Sequence, residues 1–342
     1  MSAKPNVVIT SYLDPSLVEI IRQRVPEVEI IYRQDLLYTP KHATDHTTVP
    51  VRTPEQERQW KELLANADIL FDFDHSHVDD LPEIARNVKW IQATSAGIGQ
   101  FVRSKGYDKK TNWIFTTSSG VHIRPLAEFV MMSILIFVKD YFRIESQQSR
   151  KEWIYFTANE LRDYTLGIIG LGKIGREIAR TAKAFDMHVV GTRRNPEGKI
   201  PYVDEVYSPA ELSSVLRQSN FLCISTPHTD ETTKMIGAKE IALLPNNAVL
   251  INISRGAVVD EPALIDALRS GKLYGASLDV FAQEPLPKES PFWTMPRVIV
   301  SPHSSSNSAN ENIRIVDLFC ENLKHYVAGE PLTNVLDTGR LY

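Results

Sequence analysis

The chain has 342 residues, enough for about two domains. Apolar residues make up 43% and charged residues 23%, with a formal net charge of −4, which sets aside the basic footprint of a nucleic-acid binder. The two cysteines, Cys223 and Cys320, lie far apart without Cys/His spacing, so they read as structural thiols in a reducing cytoplasm, with no metal site.

The N-terminus, "MSAKPNVVIT", lacks the long apolar core of a signal peptide. "NVVIT" (6–10) predicts a strand, "SLVEIIRQRV" a helix, and "EVEIIY" (27–32) a second strand. "ADILFDF" (67–73) and "VKWIQAT" (88–94) follow as strands. This β-α-β order implies a parallel sheet covered on both faces. Residues 38–58 are polar, carry three prolines, and read as a long connection or an arm that reaches a partner. "FVMMSILIFV" (129–138) is too short to span a bilayer, which takes about 20 apolar residues. It reads as a helix over about 124–145, buried on most faces and suited to an oligomer interface.

From 165 the alternation is cleaner. "TLGIIG" is a strand, and "KIGREIARTAKAF" a helix with Ile174, Ile178, Ala182 and Phe185 on one face. "HVVGT" is the next strand, followed by "FLCIS" (221–225) and "AVLINIS" (248–254). Asp260, with Pro262 in the first turn, opens a helix that Gly271 closes. "YGASLDV" (274–280) and "RVIVSPH" (297–303) are further strands, and a helix over roughly 307–328 ends the pattern. That last helix follows the second set of strands and can return to the first domain. The reading is an α/β chain with two Rossmann-like or flavodoxin-like domains, each built on a parallel sheet, and a cleft between them. One domain takes 1–119 and 309–342, the other 120–308.

Gly170, Gly172 and Gly175 stand in G-x-G-x-x-G spacing between a strand and an amphipathic helix, with another strand soon after. Gly170 permits the tight turn, Gly172 the approach of a pyrophosphate, and Gly175 close packing of helix on strand. The helix N-terminus then offers N–H groups to phosphates. In such folds the second strand commonly ends in an acid that binds the ribose 2′-hydroxyl of NAD. Here that window reads Gly191, Thr192, Arg193, Arg194, with no acid. Guanidinium forks bind phosphate oxygens bidentately, so Arg193 and Arg194, with a Thr192 hydroxyl, point to NADP as the preferred cofactor over NAD.

Arg255, Asp279, Glu284 and His303 each follow a predicted strand, at the edge where open α/β sheets bind ligands. At this point the chain resembles the NAD(P)-dependent D-2-hydroxyacid dehydrogenase family, the glyoxylate/hydroxypyruvate reductase type. The resemblance rests on "ATSAGIGQF", "GLGKIGREIA", "STPHTDETTKMIG", "LINISRGAVVDEPALIDALRSGKLYGASLDVFAQEPLP" and "SPFWTMPRVIVSPHSS", which come in family order over about 90–303.

The resemblance implies a catalytic triad of Arg255, Glu284 and His303. His303 would protonate the carbonyl oxygen as hydride arrives, Glu284 would hold the imidazole and favour its charged form, and Arg255 would bind the substrate carboxylate. It implies a substrate loop at Ala96, Gly97 and Ile98, where the following Gly99 departs from the family's usual Asp or Asn. It places Leu171, Lys173, Ile174, Thr226, Pro227, Thr232, Ile253 and Ser254 along the cofactor, and Asp279 on the nicotinamide carboxamide. His228 reads as an exposed loop histidine or a sensor of the phosphate end. Glu128 reads as a structural partner, and Trp153 and Trp293 as packing residues or an aromatic wall of the pocket. The implied activity is reduction of small 2-oxo acids such as glyoxylate, hydroxypyruvate or pyruvate-like acids to D-2-hydroxy acids, and the reverse, by a cytoplasmic homodimer that binds neither nucleic acid nor membrane. Two other readings stand beside it: a formate- or phosphite-type dehydrogenase of the same fold, and a dinucleotide-sensing interaction protein of the co-repressor kind.

Overall fold

The computed structural model describes residues 4–341 and divides into two compact units, one of residues 1–121 with 307–342 and one of residues 122–306. In the first unit, β1 (Asn6–Ile9), β2 (Glu29–Ile31), β3 (Ile69–Phe71), β4 (Trp90–Gln92) and β5 (Ile114–Thr116) form an all-parallel sheet in the order β2-β1-β3-β4-β5. The helices between them are α1 (Pro15–Arg24), α2 (Pro54–Ala65), α3 (Leu81–Ile84), α4 (Gly99–Lys105) and α5 (Tyr107–Lys110). Side chains along a strand alternate between faces. In β3, Ile69 and Phe71 enter one apolar cluster with Phe319 and Ile315, while Leu70 enters another with Trp60 and Leu64. Both faces are therefore buried, which is why these strands read as continuous apolar runs.

The second unit is larger. Its helices are α6 (Ile123–Val138), α7 (Tyr141–Arg150), α8 (Lys173–Lys183), α9 (Leu212–Gln218), α10 (Ala238–Leu243) and α11 (Glu261–Arg269). Its strands are β6 (Thr165–Ile169), β7 (His188–Thr192), β8 (Glu205–Tyr207), β9 (Phe221–Ile224), β10 (Ala248–Asn252), β11 (Leu273–Leu278) and β12 (Val298–Val300). They form one parallel sheet in the order β12-β11-β10-β9-β6-β7-β8. Phe221 and Cys223 of β9 face the cluster that holds α6 and α8; Leu222 and Ile224 face the cluster that holds α10 and α11. Strand order reverses between β6 and β9, and ligands in open α/β sheets bind outside the strand ends at such a point. The chain then returns to the first unit through α12 (Glu311–Ala328).

Four expectations change. The helix expected over 124–145 is two helices, because Asp140 adopts a left-handed conformation (φ 51°) that a short polar side chain tolerates and starts α7. The polar segment 38–58 is shorter: Thr53 caps α2 in a reciprocal pair with Gln56, so helix begins at Pro54. The rest of that segment has no regular structure but is tied at His46, which lies between the Ser11 hydroxyl (3.0 Å) and the Asn312 amide oxygen (2.9 Å). Phe185 lies beyond the end of α8 and is 41% exposed, outside the core. The short strands β5 and β8 had no apolar run long enough to announce them. Both cysteines are buried, and burial pushes the Cys223 thiol up to about 12 and Cys320 up to about 11. Among the described residues no helix is long and apolar enough to cross a membrane, and no three metal-ligating side chains group together.

Candidate active site

The glycine loop sits between β6 and α8, at the switch point of the larger sheet. Gly170 has φ 100°, and a Cβ there would stand 2.9 Å from the Thr226 nitrogen after β9. A Cβ on Gly175 would stand 2.2 Å from the Gly170 carbonyl oxygen, so helix and strand end approach as only glycine allows. Gly172 is the residue before α8, and nothing lies within 4 Å of where its Cβ would be. That open space at a helix N-terminus fits a dinucleotide's pyrophosphate. Lys173 is exposed and Ile174 half-buried, while Leu171 is in the core and leaves only main-chain atoms for a ligand.

Thr192 ends β7 buried, and its hydroxyl accepts the Gly170 N–H (3.3 Å); it closes the glycine turn instead of facing outward. Arg193 and Arg194 follow, both exposed, with an Arg194 guanidinium nitrogen 3.7 Å from Glu231. Across the switch point, Thr232 accepts the Thr229 N–H and donates to the Pro227 carbonyl, which folds the loop after Thr226. His228 is half-buried with Nε2 2.9 Å from the Thr233 hydroxyl.

Three further loops leave the same sheet edge. At the end of β10, the Asn252 amide oxygen accepts from the Ser254 N–H (3.0 Å) and hydroxyl (2.9 Å), and its NH2 donates to the Arg255 carbonyl (3.2 Å). This local knot shapes the turn that carries Arg255, with Ile253 and Ser254 buried beneath it. Gly256 comes next because a Cβ there would stand 1.9 Å from the Phe281 carbonyl carbon; the turn is pressed against the loop that carries Glu284. Burial, the largest influence, pulls the half-buried Arg255 guanidinium below its ordinary value, partly offset by the charges of Glu284 and Asp279.

His303 Nδ1 lies 2.8 Å from Glu284 Oε2, and Glu284 Oε1 accepts the Phe281 N–H at 2.9 Å. The carboxylate accepts, so Nδ1 carries the proton of that bond and Nε2 is turned away from Glu284. Burial is the largest influence on Glu284 and opposes its ionisation. The hydrogen bonds from His303 and Phe281, with the charges of His303 and Arg255, outweigh it and hold the carboxyl below its usual range.

Asp279 directly follows β11. Its buried carboxylate is turned toward the Ser301–Ser305 loop, accepting from the Ser301 hydroxyl (2.5 Å), the Ser304 and Ser305 N–H groups (3.0 Å each) and the Ser305 hydroxyl. Sequence reading missed these serines; their spacing around His303 was the available signal. In the smaller unit, Ala96 and Gly97 lie on the loop after β4, and Ile98 turns its side chain into the core. The departure at Gly99 has a steric cause, since a Cβ there would stand 2.0 Å from the Leu341 carbonyl oxygen. Neither tryptophan packs in a core: Trp153 is 86% exposed and Trp293, tied to the Pro287 carbonyl, 51%.

Residues 131–305 match the family model described as D-isomer specific 2-hydroxyacid dehydrogenase, NAD binding domain. The chain belongs to the D-isomer specific 2-hydroxyacid dehydrogenase family. A D-3-phosphoglycerate dehydrogenase of Methanocaldococcus jannaschii is 29% identical to this dehydrogenase over 292 residues, 84% of this chain and 55% of the relative's own length. A glyoxylate reductase of Aeropyrum pernix is 34% identical over 234 residues, 65% of this chain and 69% of that one. Among solved structures, an NADPH-dependent glyoxylate/hydroxypyruvate reductase of Sinorhizobium meliloti, in complex with NADP and sulfate, superposes with TM-score 0.80 at 27% identity, covering 99% of this chain and all of that one. The match of model and fold supports a nicotinamide dinucleotide as the cofactor of this dehydrogenase.

Proposed function

We propose that the protein reduces small 2-oxo acids (glyoxylate, hydroxypyruvate or pyruvate-like acids) to D-2-hydroxy acids with NADPH, and runs the reverse reaction. The observation that carries this is the 2.8 Å His303–Glu284 pair beside Arg255 on the ligand edge of a dinucleotide-binding sheet. A bound nicotinamide supplies or accepts the hydride. His303 Nε2 gives its proton to the carbonyl oxygen in reduction and takes it back in oxidation. Glu284 holds the ring by Nδ1 and balances its charge, and Arg255 binds the substrate carboxylate and polarises the carbonyl. The main chain at Ala96, Gly97 and Ile98 is our assignment for a further carboxylate contact.

Arg193 and Arg194, in place of an acid after β7, support NADPH over NADH. A charge-assisted contact to phosphate is worth about 1.5–3 kcal/mol, so replacing both arginines with alanine should raise the NADPH KM by about 10- to 100-fold. The NADH KM should stay within about twofold of the parent. Steady-state oxidation of both cofactors with a panel of 2-oxo acids checks this. Equal weakening of both would remove the 2′-phosphate assignment. Tight NADPH binding without turnover on any acid would favour the dinucleotide-sensing alternative, and turnover of formate or phosphite alone would favour the other dehydrogenase reading.

We also propose a homodimer. An open apolar groove of about 550 Å³, between α6, α7 and the end of α8, is lined by Met131, Met132, Leu135, Ile144 and Phe185. Trp153 and Tyr155, on the segment that follows α7, are 86% and 88% exposed. Contiguous exposed apolar surface of this kind marks an association site, and a second copy offers the matching face.

A further inference from the structure

The loop after β3 spends nearly all of its polar side chains on the fold. Asp72, buried and left-handed at φ 72°, accepts the Thr94 hydroxyl (2.9 Å) and N–H (3.4 Å), which ties this loop to the one after β4. The buried Asp74 accepts the Trp60 indole N–H (2.9 Å) and both the hydroxyl and the N–H of Ser76. Ser76 also accepts from the Arg52 guanidinium (2.9 Å), and His77 stands between Glu57 and Asp80. His75 is the exception. Among the described residues nothing hydrogen-bonds to either nitrogen of its half-buried imidazole. The ring leans on Phe101 instead, centroids 6.0 Å apart and planes tilted by 48°. Phe101 in turn meets Phe73 at 4.9 Å and Tyr107 at 6.1 Å. Aromatic packing thus holds the imidazole in place with its polar atoms unused.

Its position is at the ligand edge of the smaller sheet. β3 and β4 are parallel neighbours with Phe71 opposite Gln92, so residues 72–77 and 93–98 leave adjacent strands at the same edge. Phe101 belongs to α4, which begins at Gly99, directly after Ala96, Gly97 and Ile98. A small 2-oxo acid is only a few bonds long. Bound by its carboxylate to that main chain, it brings its third carbon next to the loop of His75. An imidazole both donates and accepts, as a hydroxyl does. An anionic group would fit poorly, because Asp72, Asp74, Asp79 and Asp80 lie within the same stretch, and the nearby Arg52 and Lys105 are paired with Glu57 and Asp79.

We propose that His75 is a specificity residue that hydrogen-bonds a hydroxyl on the third carbon of the substrate. The preferred class is then 3-hydroxy-2-oxo acids of the hydroxypyruvate kind. The inference rests on the proposed 2-oxo acid reduction and on the carboxylate contact at Ala96, Gly97 and Ile98.

The test uses the full chain with His75→Leu, His75→Ala and His75→Asn, assayed with NADPH on hydroxypyruvate, pyruvate and glyoxylate. Pyruvate lacks the hydroxyl, and glyoxylate lacks the third carbon. The parent should favour hydroxypyruvate over pyruvate in kcat/KM by about tenfold or more, since a site built for a hydroxyl rejects the analogue without it. His75→Leu keeps an apolar contact with Phe101. It should lower kcat/KM for hydroxypyruvate by about tenfold, chiefly through KM, and leave pyruvate and glyoxylate within about twofold of the parent. His75→Asn, which still donates and accepts, should recover part of the loss. If His75→Leu fails to fold, His75→Ala is read by the same ratio. A uniform fall on all three acids would make the histidine structural, and an unchanged hydroxypyruvate-to-pyruvate ratio would remove the hydroxyl contact. Either result overturns the inference and leaves the proposed reduction standing. If the parent turns over no 2-oxo acid, the proposed function fails, and His75 is read by binding instead. D-glycerate should then protect the NADPH-loaded protein against thermal unfolding more than D-lactate does, and His75→Leu should abolish the difference. Equal protection of the parent by the two acids overturns the inference.

Discussion

Glu284 and His303 lie 19 positions apart, yet one hydrogen bond turns Nδ1 of the imidazole to the carboxylate and Nε2 away from it. The carboxyl that makes it is held below the ordinary glutamate value of 4.5. The folded protein therefore binds that proton more weakly than the unfolded chain does. The resulting stability is present above about pH 4.5 and is lost as pH falls through the lower folded value. Glu284→Gln removes the dependence, so melting temperatures at pH 7 and pH 4 should converge relative to the parent protein. Turnover should fall by at least about tenfold, because the ring loses its charged partner. At this scale the sequence was legible for the placement of Arg255 and His303, residue types that are rare after a strand end. It was not legible for the hydrogen bonds of Thr192 and Asp279, which are made to neighbours that only the fold brings together.

Secondary-structure elements separate the two jobs of the glycine loop. At Gly175 a methyl group would meet the Gly170 carbonyl at 2.2 Å, and both belong to backbone that cannot yield. Gly175→Ala should destabilise the protein by about 3 kcal/mol, the upper range for overpacking, and lower its melting temperature. At Gly172 the same methyl group meets nothing within 4 Å. Gly172→Ala should cost about 0.5–1 kcal/mol in stability, well below Gly175→Ala, but weaken cofactor binding, because the space it fills is where a pyrophosphate would lie. Thermal melts with and without NADPH check the pair; a Gly172→Ala protein with parental NADPH affinity would sink this placement of the phosphates. The motif could be read in advance because each glycine answers to backbone geometry within a dozen residues. The break between α6 and α7 could not. It turns on Asp140 entering the left-handed region inside a run whose composition still favours helix. Strands of three residues such as Glu205–Tyr207 escaped for a related reason: their pairing with β7 supplies what their own pattern lacks.

For the whole molecule, the apolar run 129–138 poses the remaining question. Half of α6 is buried under β6 and β9 in the main cluster of the larger unit, which accounts for Val130, Ile134 and Phe137. Met132 is 43% exposed on the same helix, and Tyr141, Ile144 and Phe185 lie beside it at 51%, 41% and 41%. A monomer leaves single apolar side chains on its surface without consequence, but a groove lined by three elements' worth of them is costly to hydrate. A stable dimer needs roughly 800 Å² from each partner, and a helix face with the projecting Trp153 and Tyr155 is a surface of the right kind to supply it. Sedimentation should therefore give twice the chain mass of 38.7 kDa. Met132→Glu would place a carboxylate in the middle of the contact, where no partner charge is at hand, and should shift the equilibrium toward monomer by about 3 kcal/mol or more. Trp153→Ser should weaken it less, since a rim side chain is replaced in part by water. Because all these positions lie away from the glycine loop and the His303–Glu284 pair, a monomeric Met132→Glu protein should keep its NADPH affinity. A parent protein that sediments at the single-chain mass at micromolar concentration would end the dimer assignment and leave the groove to a different partner.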